Sequence, residues 1–472
     1  MTFAAAAAGQ DPAGTSPAGM DPAGMDPAGT GPAGKKPGPK AAGSTARRRT
    51  VALRRGRTVA VLAAAALTTT ACLGPAGGAR VEQADASGDG TLRIGLILDN
   101  TGAQSFLNAP QLAAAKLAVK EINAAGGHKG KPVELLPETV SGDTAVQAKA
   151  LVDAKADVVI GPTDSSRAPA AIDVLSNAKV AMISPANTAS GLSGYESNGY
   201  YFRTSAADIA QAPVLVKLAK DGGAATIAVV YEEGSYGKDV SNAVAAAAKE
   251  AGLGPVAVAG FAPGQAQQAV AAAKAAAPDA VVLVSRDGAQ GAIAELNNAG
   301  LSGKKLILSD GAVNQYGSGL GSRALDGARG ILPGTFASAH FQGELVSVDP
   351  ELKDMTFAAE TYDAVNLAAI AAAAAQDDAG TSIAASLIAV SGGNVQTPGN
   401  GGPSGEATVC KTYQECLDAL RAGNRPDYDG ESGPVGFDSN GDVSSANYVV
   451  YTYGPDNTAT MSGNETARTN GS

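Results

Sequence analysis

The sequence predicts an α/β protein built of two parallel-sheet lobes, and three observations carry that expectation. Short aliphatic runs alternate with stretches whose apolar residues recur three and four apart, the periods of strand and helix. The alternation starts afresh near Ala206 and returns after Gly330. From Val158 to Thr188 (VVIGPTDSSRAPAAIDVLSNAKVAMISPANT) two aliphatic runs flank one helical stretch, a βαβ unit with parallel strands.

The 472 residues leave room for two or three domains, and 44% hydrophobic with 17% charged residues supplies material for globular cores. Aromatic residues are 4% and tryptophan is absent, so a binding pocket must use few aromatic rings. The net charge of −10 is uneven: residues 1–71 are basic and the remainder strongly acidic. An acidic body argues against nucleic acid, whose phosphates need a basic face.

Residues 1–71 read as a disordered leader plus export signal. A five-residue repeat over residues 11–35 (DPAGT, SPAGM, DPAGM, DPAGT, GPAGK) has almost nothing to bury. A basic run from Arg47 to Arg57, an apolar stretch from Val59 to Leu67 and a small-residue site follow in the order of a signal peptide. The apolar stretch is shorter than the roughly 20 residues a membrane span needs. Cys72 after Ala71 resembles the lipidated cysteine of a bacterial lipobox, with Thr69 where leucine is usual. The alternative is ordinary cleavage after Ala71 with a free Cys72 thiol. Residues 72–90, rich in Gly, Ala, Asp and Ser, read as a flexible tether carrying the lipid anchor.

The first strand begins near Thr91, and Leu112, Ala115, Val119 and Ile122 mark one face of a helix that Gly126-Gly127 ends. A strand over Lys131 to Val140 and a helix over Ala145 to Ala154 lead into the βαβ unit. The second series has strands at Thr226 to Tyr231, Val256 to Phe261, Ala280 to Ser285 and Lys305 to Leu308, with helices before and between them. The third has a strand at Ile331 to Ala337, helices over Thr356 to Ala375 and Ser382 to Val390, and a capping box at Thr412 to Glu415. A strand pair ends at Tyr453, and residues 454–472 read as a polar tail.

In open parallel sheets ligands bind beyond the carboxyl ends of strands, where both polar turns of Val158 to Thr188 lie. Ser165 and Ser166 precede a helix start, where backbone N–H groups favour an anion; read alone, they are either N-caps or anion ligands. Cys410 and Cys416, close together in an exported chain, read as a disulfide. A metal site is not expected, because His128 and His340 lack ligand spacing. Asp438 to Asp442 resembles a calcium loop only in part, with glycine at the fourth place rather than the sixth and no glutamate at the twelfth, and reads as a turn. Phosphate-loop, zinc-protease and nucleophile-elbow motifs are all missing, so no enzyme and no cofactor is expected.

Gly161 to Thr188, and the run EINAAGGHKGKPVELL from Glu121 to Leu136, resemble type I periplasmic binding proteins of the leucine/isoleucine/valine-binding family. The resemblance extends over about Thr91 to Tyr453. It implies a first lobe of 91–205 and 333–431, a second of 206–332 and 432–453, and a hinge crossed three times. It implies that Ser165 holds the solute carboxylate, and that the Ala186 carbonyl and Thr188 hold ammonium and carboxylate. Asp310 takes the position of an acidic ammonium partner, usually glutamate, although Asp-Gly after a strand also reads as a plain turn. Tyr236 corresponds to a tyrosine that closes over the ligand, or is an ordinary loop tyrosine. Phe106 corresponds to an aromatic wall. Ser285-Arg286-Asp287 stands where the family often has a tyrosine; Arg286 either meets a ligand carboxylate or pairs with Asp287, the second being favoured. By resemblance, then, the protein is a monomeric, membrane-anchored extracytoplasmic lipoprotein that passes a branched-chain or related amino acid to an ABC permease. An amide, an aromatic acid or another solute, or ligand sensing through a partner, is the alternative.

Overall fold

The computed structural model describes residues 79–102, 105–335, 337–393 and 406–468. The chain divides into two units, Met1–Thr70 and Ala71–Ser472. The expected leader, export signal and lipidation site Cys72 lie outside the described residues.

The first lobe is a parallel sheet of β1 (Arg93–Leu96), β2 (Glu134–Leu135), β3 (Val158–Ile160), β4 (Ala181–Ser184) and β5 (Tyr201–Arg203), in the order β2-β1-β3-β4-β5. Successive side chains of a strand face opposite ways, so one sheet feeds two apolar layers. Val158 and Ile160 join Ile94, Leu96 and Ile183 on one side. Val159 joins Ile97 and Met182 on the other. Helix α1 (Asn108–Ala124) covers the first layer, while α2 (Thr144–Asp153) and α3 (Ala168–Asn177) cover the second. Of the strand expected over Lys131 to Val140, only β2 is paired with β1, the ladder closing where the Leu136 N–H donates to the Ile94 carbonyl at 2.9 Å.

The second lobe repeats the plan with α4 (Ala212–Asp221), β6 (Thr226–Glu232), α5 (Ser235–Glu250), β7 (Gly254–Phe261), α6 (Gln267–Ala275), β8 (Ala280–Val284), α7 (Ala289–Asn298), β9 (Leu306–Leu308) and β10 (Arg329–Pro333). Ile227 and Val229 face α4 and α5, and Ala228 and Val230 face α6 and α7. The chain then re-enters the first lobe as α8 (Ala339–Val348), α9 (Ala358–Ala375) and α10 (Gly380–Val390). Helix α9 is alanine-rich and buried along most of its length, which lets it lie against α1 in the core. Strand β11 (Ala407–Cys410), α11 (Tyr413–Arg421), β12 (Arg425–Gly430) and β13 (Gly433–Pro434) form a small annex on this lobe. The Cys410–Cys416 disulfide is present at the start of α11, with both cysteines buried in the first-lobe core. Thr412 caps that helix by accepting from the Glu415 N–H at 3.2 Å.

Strands β14 (Ser445–Tyr453) and β15 (Ala459–Arg468) complete the second sheet in the order β15-β14-β10-β9-β8-β6-β7, both antiparallel to their neighbours. Residues 454–472, read as a polar tail, therefore contain an edge strand; one face of an edge is solvated, so its side chains carry no apolar signal. The third crossing is also displaced. Val435, Phe437 and Val443 pack in the first-lobe core, with the Phe437 ring 5.3 Å from that of Phe202, so the chain leaves that lobe just before Ser445 rather than after residue 431.

Residues 79–90 are not a free tether. Val81 is buried in the first-lobe core, and the Arg80 guanidinium donates to the Tyr201 carbonyl. Gly88 N–H donates to Asp377 at 2.9 Å, and Gly90 and Thr91 N–H donate to Asp378 at 3.0 and 3.1 Å. A side chain at position 88 would meet the Asp378 carboxylate at 2.3 Å, which is why glycine stands there. The small residues that suggest flexibility are the ones that let this strap lie close.

Two buried carboxylates pin first-lobe segments that lead toward the crossings. Asp363 of α9 accepts from the Tyr428 hydroxyl at 2.8 Å, the Glu431 N–H at 3.0 Å and the Ser432 N–H at 2.8 Å, and burial pushes its carboxyl up to about 6. Asp442 meets Arg203, whose side chain is wholly buried, at 2.6 and 3.0 Å. Asp438 accepts from the N–H groups of Asn440 and Asp442 at 2.7 and 3.0 Å, the turn expected for this stretch.

Candidate functional site

The loops after β3 and β4 leave the carboxyl edge of the first sheet side by side. Gly161 has φ +104°, and a Cβ there would lie 2.2 Å from the Ile97 carbonyl, so only glycine lets the chain turn at this edge. Neither serine caps α3. Ser166 donates to Asp164 at 2.8 Å, and the Ser165 hydroxyl oxygen accepts from the Thr188 and Ala189 N–H groups at 3.2 and 3.3 Å. Ser165 thus stitches one loop to the other and keeps its O–H proton to donate.

The second loop is rigid. Asn187 is fully buried and donates to the Pro162 and Thr163 carbonyls at 3.1 and 3.0 Å. Arg203 donates to the Asn187 and Ala189 carbonyls at 3.1 and 2.9 Å, which fixes the peptides on either side of Thr188. Ala186, itself buried, is held through its N–H to Ser184 at 3.3 Å.

The second lobe contributes a compact polar group. Tyr236, in the first turn of α5, donates its hydroxyl to Asp310 and lies 3.0 Å from the Ser309 hydroxyl. Gln211 donates to the same Asp310 oxygen at 2.8 Å and accepts from the Asp310 N–H at 3.2 Å. The other Asp310 oxygen has no hydrogen-bond partner among the described residues. Burial and then the Asp310 charge push the Tyr236 phenol well up, so it acts as a donor.

Arg286 is paired with Asp208, not with its neighbour Asp287. Its Nη2 lies 3.6 Å from Asp208 Oδ2, and its guanidinium carbon stands 4.0 Å from the centre of the Tyr236 ring. Asp208 is 8% exposed; burial and then the charge of Asp310 push its carboxyl up to about 7, against the pull of Arg286. The Asp208 N–H donates to the Thr188 carbonyl at 2.7 Å, joining the first-lobe loop to the segment that opens the second lobe.

Of the expected site residues, Ser165, Ala186 and Thr188 are brought together, and so are Tyr236 and Asp310; Asp208 and Arg286 lie between the groups. Phe106 stands 60% exposed on a short turn, and among the described residues no hydrogen bond or ring contact joins it to the others. The sequence reading missed Asp208 and Gln211. Their signal was a polar pair three apart at the head of an apolar helix, which looks like an ordinary helix start.

A small cavity of about 50 Å³ lies where the crossings meet, lined by Thr188, Ser205, Gly334, Phe357 and Glu360 among others. Burial pushes the Glu360 carboxyl up to about 7. Among the described residues no group of His, Cys, Asp or Glu could hold a metal ion, and no helix is long and apolar enough to cross a membrane.

A family model described as periplasmic binding protein matches residues 91–410. The leucine-, isoleucine-, valine-, threonine- and alanine-binding protein of Pseudomonas aeruginosa is 26% identical over 381 residues, 78% of this chain and 92% of that protein. A Leu/Ile/Val-binding protein homolog of Brucella suis is 31% identical over 188 residues, covering 37% of this chain and 46% of the relative. Among solved structures, a branched-chain amino acid transporter substrate-binding protein of Streptococcus pneumoniae in complex with isoleucine has a TM-score of 0.52 at 20% identity, covering 80% of this chain and all of that one. A solute-binding protein of R. palustris in complex with benzoate has a TM-score of 0.50 at 16% identity, covering 80% of this chain and 98% of that one. These two structures share the fold.

Proposed function

The chain belongs to the periplasmic binding protein family, whose members are extracytoplasmic solute binders rather than enzymes, and from that premise we propose that it captures a small amino acid between its lobes for an ABC permease. A branched-chain amino acid is the first solute to try, since the relatives named above bind such solutes. The observation that carries the reading is the convergence of donors and acceptors from both lobes. Ser165 and Arg286 offer donors to a carboxylate, and Asp310 and Asp208 offer oxygens to an ammonium. Contacts made by both lobes at once favour the closed state, the shape a permease can recognise. Cys72 is the lipid attachment point in this reading, and the protein works as a monomer.

The test is thermal denaturation of the full chain, in detergent if it carries lipid, with leucine, isoleucine, valine, leucinamide and benzoate. At a hundred times its dissociation constant, a solute bound only by the folded state adds about 2.7 kcal/mol, a shift of several degrees. If none of the amino acids raises the melting temperature, the reading is lost; if benzoate alone does, the solute is an aromatic acid.

Binding should also depend on pH. Without solute, Asp208 takes up a proton as pH falls through about 7, its carboxyl being raised by burial and by Asp310. The ammonium of a solute needs the ionised form, so proton and solute compete. Affinity is expected to be flat above about pH 8 and to fall on acidification by up to about tenfold per pH unit below 7. Calorimetry between pH 5 and 9 reads this, and Asp208→Asn should flatten the profile.

A further inference from the structure

We propose that Asp208 and Arg286 are an internal ion pair that a zwitterionic solute splits, its carboxylate going to the Arg286 guanidinium and its ammonium to Asp208. The inference rests on solute capture in the cleft, and it adds two specificity-determining residues and a rule for which solutes are accepted.

The pair is incomplete as it stands. At 3.6 Å it is longer than the 2.7–2.9 Å usual for a charge-assisted hydrogen bond. No acceptor among the described residues lies within hydrogen-bond distance of the guanidinium. Its planar fork, suited to a carboxylate, is therefore unfilled.

The fork is nevertheless held in place. The Glu232 carboxylate accepts from the Arg286 N–H at 2.8 Å, the Gly288 N–H at 3.0 Å and the Ser285 hydroxyl at 2.7 Å, which fixes the loop between β8 and α7. The aliphatic stem runs over Gly311, where a Cβ would lie 2.5 Å from Arg286 Cγ. The guanidinium stacks on Tyr236, yet the side chain stays 51% exposed and open to a solute.

Asp208 is the complementary half. It is buried, and Arg203, the other cation near it, is committed to Asp442. A zwitterion inserted between Asp208 and Arg286 exchanges one long ion pair for two short ones without changing the net charge. A carboxylate without an ammonium leaves Asp208 stripped of its partner, and an amine without a carboxylate does the same to Arg286. Leaving the buried Asp208 without its cation is the costlier outcome, since the half-exposed Arg286 can turn to water.

Calorimetry on the full chain with leucine, 4-methylpentanoate (leucine without its amine) and isoamylamine (leucine without its carboxylate) tests this, in the parent, Arg286→Ala, Arg286→Lys and Asp208→Asn. The parent should bind leucine about 30-fold or more tighter than either fragment. Arg286→Ala should weaken leucine by about 20-fold and leave isoamylamine within about threefold, and Arg286→Lys should recover part of the loss. Asp208→Asn should weaken leucine and leave 4-methylpentanoate within about threefold. Arg286 is half exposed, so its variants report even if Asp208→Asn folds poorly. If leucine binds the parent and both Arg286 variants equally, the ion-pair inference falls while solute capture stands. If neither leucine nor any other amino acid binds the parent, solute capture falls and takes the inference with it.

Discussion

Arg203→Ala is expected to lower the free energy of unfolding by about 3–5 kcal/mol, read from equilibrium urea denaturation. Arg203 is fully buried, and its donors go to Asp442, Ser193 and the carbonyls of Asn187 and Ala189. Alanine leaves a cavity, takes one of the two donors from each of the Asn187 and Ala189 carbonyls, which keep Ser205 Oγ and the Leu192 N–H, and leaves a carboxylate without its cation, and these losses act in one place. Desolvating the pair already offsets much of its Coulomb attraction, so removing both charges should cost less than removing one. The double variant Arg203→Met with Asp442→Asn is therefore expected to be milder than Arg203→Ala. A loss below about 1 kcal/mol for Arg203→Ala would mean that the buried pair does not hold this junction.

Asp310→Ala is expected to weaken amino-acid binding by about 10- to 100-fold, the worth of a hydrogen bond to a charged group. One Asp310 oxygen is taken by Tyr236 and Gln211, which orient the carboxylate, and the other is without a partner. That second oxygen is the one offered to an ammonium. Asp310→Asn keeps the shape but not the charge and should fall between parent and alanine variant. Calorimetry with leucine decides it, checked by an unchanged melting temperature without solute. Affinity within about threefold of the parent would place the ammonium on Asp208 alone.

The two-lobe architecture was legible because it rests on local periodicity. Val158 to Ile160 and Ala181 to Ser184 show their strands within a few residues, and polar turns mark the carboxyl edge at Gly161 and Pro185. The juxtaposition of Ser165 with Thr188 was legible from the same short unit, since parallel neighbours deliver their loops to one edge. Tyr236 and Asp310 were found only through family resemblance; nothing local says that residues 74 apart share a hydrogen bond.

What could not be read is equally specific. Asp208 is buried by tertiary packing that lies outside any helical window, and the partner of Arg286 is this residue, far back in the chain, rather than the neighbouring Asp287. Val435 and Phe437 show alternation but not which sheet claims them. The strap over residues 79–91 has the composition of a linker, because close backbone approach and flexibility both favour glycine.

That strap gives the molecule a handle. Its described partners, among them Asp377, Asp378, Tyr201, Phe202, Ser197 and Arg93, belong to the first lobe. It runs along the sheet edge at which β1 begins, whereas Ser165 and Thr188 leave the opposite edge. A dye, bead or electrode coupled within the strap would thus hold the protein by its first lobe, at the sheet edge opposite Ser165 and Thr188. Immobilised this way, the protein would serve as a sensor whose second lobe swings without load.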